Sequence, residues 1–159
     1  MREVLMGAQD NLTNVLAVVL GVAIGTGRSH TVALAGLAAG VGEAISMGGV
    51  LLTATRAEEG LRARDSGGPA QPSRAAKAGA ITFVAALVAG LIPLAPIALM
   101  SIGWAMLTSV VLWLGALFLL GSWAGRMMLR SWWGEGLRIL AVASVAAVAA
   151  ATIGAALKR

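Results

Sequence analysis

Four residues in this chain have the types and spacing to do chemistry together: Asp10, Asn14, Glu43 and Met47. Asp10 and Asn14 are four apart at the start of one apolar stretch, and Glu43 and Met47 are four apart inside the next. A carboxylate is costly in hydrocarbon, so an acidic residue within a membrane span is a candidate functional group. Carboxylate and amide oxygens suit Fe²⁺ and Mn²⁺, and a thioether favours softer ions. Mg²⁺ and Ca²⁺ prefer all-oxygen shells. The mixed set therefore points to a transition metal, and its carboxyl groups could exchange a proton for the ion. One chain supplies few ligands. Two chains meeting along the glycine stripes of their first two helices would double them, so a homodimer with the path near its interface is expected.

Other chemistries lack their residues. There are no cysteines, which removes disulfides, thiolate metal sites and thiol catalysis. No nucleophile–base pair, phosphate-cradling loop or histidine-rich motif is present. His30, the lone histidine, reads as an exposed turn residue. The chain is read as a non-enzyme with no permanently bound cofactor; the metal would be its cargo.

The elements that must hold these residues are apolar helices. Of 159 residues 58% are hydrophobic and 12% charged, about half the charge of a soluble domain. Mean hydropathy is +0.87. Apolar runs of roughly 20 residues recur and do not alternate, which favours transmembrane helices over a barrel. The stretch after Met-Arg-Glu holds Asp10 and Asn14 and has no small-residue cleavage site, so it reads as a span rather than a removed leader.

The fold expected is an all-α membrane protein, one transmembrane domain over residues 1–159. Its helices fall at about 9–27, 31–55, 75–91, 102–124 and 136–157, with a hydrophilic loop at 56–74 whose first half is a candidate extension of helix 2 and whose 66–73 segment reads as flexible. In helix 1, Asp10, Asn14, Gly21 and Gly25 share one stripe; in helix 2, Gly36, Gly40, Glu43 and Met47 share another. Small residues four apart let helices approach closely, so the four glycines are read as helix-packing positions. Pro93 and Pro96 predict a kink or broken end after helix 3. Glu58, Glu59 and Asp65 are interspersed with arginines in the hydrophilic loop and read as a solvated surface.

Net charge is +5. Without aromatic residues interleaved among the cations, this is not a nucleic-acid signature. The basic residues instead set topology. With the N-terminus cytoplasmic and the C-terminus outside, nine lie inside (Arg2, Arg56, Arg62, Arg64, Arg74, Lys77, Arg126, Arg130, Arg138) and three outside (Arg28, Lys158, Arg159). A composition rich in Ala, Gly, Val, Leu and Arg fits a GC-rich bacterial gene, so the bacterial inner membrane is the expected location. Lipid surrounds the chain there.

Several segments resemble the vacuolar iron transporter family, which includes the nodulin-21-like proteins. Asp10-Asn-Leu is similar to that family's Asp-Gly-Leu opening of helix 1. Ala35-Gly-Leu-Ala and Ala44-Ile-Ser-Met47-Gly resemble its helix 2 signature, and Ile92-Pro-Leu-Ala-Pro96 its Pro-Leu-x-Pro. Gly136-Leu-Arg and Ile153-Gly154 resemble the ends of its fifth helix. The resemblance implies a five-helix protomer, a homodimer, and export of Fe²⁺ or Mn²⁺ from the cytosol in exchange for protons. Asp10 and Met47 fall on the family's pathway residues. The family glutamate eight residues before the methionine is Ala39 here; Glu43, a turn later, is expected to take its role. The family's long metal-binding insertion after helix 2 is replaced by the short loop, as in short-loop relatives.

On this reading Asp10 and Asn14 receive the ion at the cytoplasmic mouth, and Glu43 and Met47 bind it deeper. Two rivals stand beside it. A proton-coupled exporter of small organic cations would also use one membrane carboxylate, but would want aromatic residues around it. A non-transporting accessory protein would use Asp10 and Glu43 only to fix helix pairing.

Overall fold

A computed structural model describes residues 2–69 and 71–158, and every regular element in it is helical. Helix α1 runs Arg2–Thr26 and α2 Ser29–Ser66. They are joined by residues 27–28, where Gly27 takes a left-handed φ of 61°, which a side chain would resist. α3 runs Pro72–Leu91, with a proline at its start where the missing N–H costs nothing. The chain then narrows to a 3₁₀ turn, Ile92–Leu94, and a short α4, Ala95–Leu99. Pro93 and Pro96 sit in those two pieces, and the long helix gives way just before them. α5 runs Ile102–Met127 and α6 Trp132–Ala156. At the start of α6 the Ser131 hydroxyl accepts a 3.3 Å hydrogen bond from the Gly134 N–H.

Among the described residues, five segments are long and apolar enough to cross a membrane: α1, α2, α3 with its broken end, α5 and α6. The hub is α1, which lies against α2, α3, α5 and α6. Its Leu12, Val15, Leu16 and Val19 are fully buried and meet Trp113 and Leu117 of α5 and Val32 of α2. The adjacent faces bury into a core because these apolar side chains recur every three or four residues. α6 rests on α1 and α5 and turns most of its surface outward.

The first half of the hydrophilic stretch 56–74 prolongs α2, as expected, and the helix runs on beyond it. α2 ends only at Ser66, 38 residues in all, about 57 Å at 1.5 Å per residue. That exceeds a hydrocarbon core of about 30 Å, so the charged end projects beyond it. Gly67, at φ 65°, caps the helix, and residues 67–71 connect it to α3. Not all the acids of the stretch are solvated. Glu59 is buried, and its Oε1 accepts a 2.8 Å hydrogen bond from Arg74 Nη1, with Arg62 Nη1 at 3.6 Å. α3 returns alongside α2 and brings Arg74 to Glu59, a pairing that spacing along the chain does not reveal.

Candidate functional site

α1 and α2 are antiparallel neighbours joined by the short turn at 27–28, and this sets the site's geometry. Asp10 lies 16 residues before the end of α1, and Glu43 lies 14 after the start of α2; both are therefore about 21–24 Å from the turn. They meet. The Glu43 carboxyl is a near neighbour of the Asp10 and Asn14 side chains. Glu43 and Met47 are half-buried, whereas Asp10 and Asn14 are exposed on the outer face of the protomer.

This corrects the order expected along the path. Asp10 and Asn14 do not form an outer layer with Glu43 below them; Glu43, about 21 Å from the turn, lies between Asp10 at about 24 Å and Asn14 at about 18 Å. Met47 lies one turn, about 6 Å, farther from the 27–28 turn than Glu43, on the side of the 67–71 loop. Because α2 runs opposite to α1, a higher residue number on α2 means a position nearer the start of α1.

The four glycines are spent inside the protomer. Gly21 and Gly25 face α6: a Cβ on Gly21 would lie 3.1 Å from the Ala150 carbonyl oxygen, and one on Gly25 3.4 Å from that of Gly154. Gly36 is covered by Leu94 and Val19, and Gly40 by Val15 and Asn11. They are therefore not the surface along which a second copy would meet the first, because helices of the same chain already occupy them.

Asn11 was not among the residues singled out by type and spacing, yet it is the polar side chain most firmly held in the bundle. It is fully buried, and its Nδ2 donates to two backbone carbonyls, Gly40 O and Ala86 O, each at 2.9 Å. One amide thereby ties α1 to α2 and α3 next to Asp10. Its Oδ1 has no hydrogen-bond partner among the described residues. The signal was present in two glycines. Gly40 supplies an approachable carbonyl, and Gly90 leaves room for the amide, since a Cβ there would stand 2.6 Å from Oδ1.

Among the described residues, no three histidine, aspartate, glutamate or cysteine side chains converge to hold a metal. A protomer thus presents two carboxyls and an amide on an open face, about half of a metal's coordination shell.

A family model, described as the VIT family, matches residues 1–62 and 50–155. The chain belongs to the VIT family. No curated protein matches it. Membership indicates a membrane metal-ion transporter rather than an enzyme, in keeping with five membrane-spanning segments. Within this VIT-family chain, the Asp10–Asn14–Glu43 cluster is the place where spanning helices bring acidic and amide groups together.

Proposed function

We propose that the protein exports a divalent transition metal, Fe²⁺ or Mn²⁺, from the cytosol by proton antiport, as a short-loop VIT-family member of a bacterial inner membrane. The observation that carries this reading is the meeting of Asp10, Asn14 and Glu43 on two neighbouring spanning helices. Their oxygens suit these ions. On this reading an arriving dication takes the place of protons on the two carboxyl groups, and the return of protons releases the ion. Met47, one turn toward the loop side, would meet the ion before Glu43 when the N-terminus is cytoplasmic.

The exposure of Asp10 and Asn14 supports a homodimer. Two polar side chains on the outside of a spanning helix would face hydrocarbon, which is costly. A second copy, applied face to face through a two-fold axis, would cover them and bring a second Asp10, Asn14 and Glu43 opposite the first. The doubled set would complete a coordination shell and offset the ion's charge. The buried tryptophan nearest mid-span, Trp113, packs in the apolar core with Leu12 and Leu16. It gives an organic-cation reading no aromatic wall at the carboxylates.

The test is metal flux into liposomes containing the purified protein, followed with an enclosed Fe²⁺ or Mn²⁺ probe. Flux that rises when an opposing proton gradient is imposed supports antiport. Well-folded protein that moves neither ion under any gradient contradicts the proposal.

A further inference from the structure

On the side of the bundle formed by α3 and α5, away from the Asp10–Glu43 face, a groove of about 890 Å³ opens. That volume lies within the roughly 300–1,000 Å³ of ligand pockets. Its walls are apolar, and part of its depth comes from small residues, Ala85, Ala89 and Gly115 among them. At Ile81 it adjoins a second, polar pocket of about 530 Å³ at the charged end of the bundle. The two share one stripe of α3. Arg74, Lys77 and Ile81 lie at three- or four-residue spacing, and Val84, Val88 and Ile92 continue the line. From Lys77 to Ile92 the stripe is about 22 Å long, against about 15 Å for half the hydrocarbon core.

Charge is distributed unevenly in the polar pocket. Arg62 and Arg74 both lean on the buried Glu59. Glu3 and Glu58 also line it. Lys77, at the junction with the apolar groove, has no ion pair among the described residues. An apolar channel of leaflet depth that ends at an untied ammonium group matches an amphiphile with a phosphate between head and tail.

We propose that this groove is a phospholipid-binding site. One acyl chain lies along α3 against Gly115 of α5, and the phosphodiester rests on Lys77, with Arg74 beside it. The lipid comes from the leaflet on the side of the 67–71 loop. The site is independent of the metal path, and its test does not require transport.

Native mass spectrometry of the delipidated full chain can compare dioleoyl phosphatidylethanolamine with dioleoylglycerol, which has the same chains and no phosphate. The site predicts that the phospholipid stays bound at least fivefold more than dioleoylglycerol. Lys77→Gln should remove most of that preference, while Arg138→Gln, near the start of α6, should not. Gly115→Leu should weaken retention of both lipids severalfold. A Cβ at Gly115 meets nothing within 4 Å, so this variant should fold, and its thermal unfolding would confirm that. Equal retention of the two lipids by the unmodified chain would overturn the proposal. So would unchanged retention in folded Lys77→Gln and Gly115→Leu. A Gly115→Leu variant that loses dimer but keeps its lipid would assign the groove to a second copy instead.

Discussion

The side chain of Asn11 and the missing side chain of Gly90 are complementary: a Cβ on Gly90 would stand 2.6 Å from Asn11 Oδ1 and 3.1 Å from Nδ2. The amide occupies the space that glycine leaves and spends its two N–H groups on α2 and α3. Asn11→Ala should therefore destabilise the bundle by about 0.5–1.5 kcal/mol, the range of interhelical hydrogen bonds in membranes. Gly90→Ala should cost more, about 1–3 kcal/mol, through overpacking. The double variant should cost less than the two single changes added together, because removing the amide makes room for the methyl group. Detergent unfolding of the four proteins measures this cycle; strict additivity would contradict the contact.

Glu59 fastens the projecting end of α2 to the start of α3 through Arg74. The carboxylate is buried, but the side chains of both arginines are more than half exposed to water, which weakens the pairs. Glu59→Gln should cost about 1 kcal/mol or less in global stability. Its larger effect should be local, with faster amide exchange over residues 58–77 and faster proteolysis at the 67–71 loop. Exchange that rises equally in α5 and α6 would mean that the pair does not act locally.

Glycines in this chain divide by what a methyl group would meet. On Gly154 it would run into the Gly21 carbonyl, whereas at Gly49 it would meet nothing within 4 Å. Gly154→Ala should push α6 from α1 and cost about 1–3 kcal/mol. Gly49→Ala should be neutral or gain up to about 1 kcal/mol from helix propensity. Thermal unfolding of the two variants compares them directly, and similar losses would contradict the packing.

The spans were legible because long apolar runs have few other homes, and Pro93 and Pro96 marked the end of α3 through the donor that proline lacks. The extension of α2 into the first half of the charged stretch was legible, but its reach to Ser66 and the burial of Glu59 were not, because Glu59 acquires its partner only when α3 returns. The candidate site was legible in its residue types and not in its depth. Asp10 and Glu43 stood out as carboxylates in apolar stretches, but their closeness follows from the antiparallel turn at 27–28. Asn11 was passed over because it lies off the Asp10–Asn14 stripe, on the face whose neighbours only the packed bundle supplies. The glycine stripes were visible, while the helices they serve were not: Gly21 and Gly25 receive α6, which comes more than a hundred residues later.

The chain has no cysteine, which makes the proposed dimer face open to a clean test. Ser46 is exposed on α2 near Glu43, and Val88 is exposed in the α3–α5 groove. Ser46→Cys should cross-link two copies in membranes with a short bifunctional thiol reagent, and Val88→Cys should not. Cross-linking through Val88 alone would place the second copy on the groove and leave Asp10 and Asn14 uncovered.

The central claim is that the Asp10–Glu43 pair exchanges a proton for a metal ion. The most direct measurement follows internal pH and Mn²⁺ together in liposomes holding the native protein, Glu43→Gln or Asp10→Asn. With the native protein, Mn²⁺ entry should be accompanied by proton exit. Both variants should insert and fold but lose at least tenfold of the coupled flux. Native rates of Mn²⁺ entry and proton exit in folded Glu43→Gln would contradict the account.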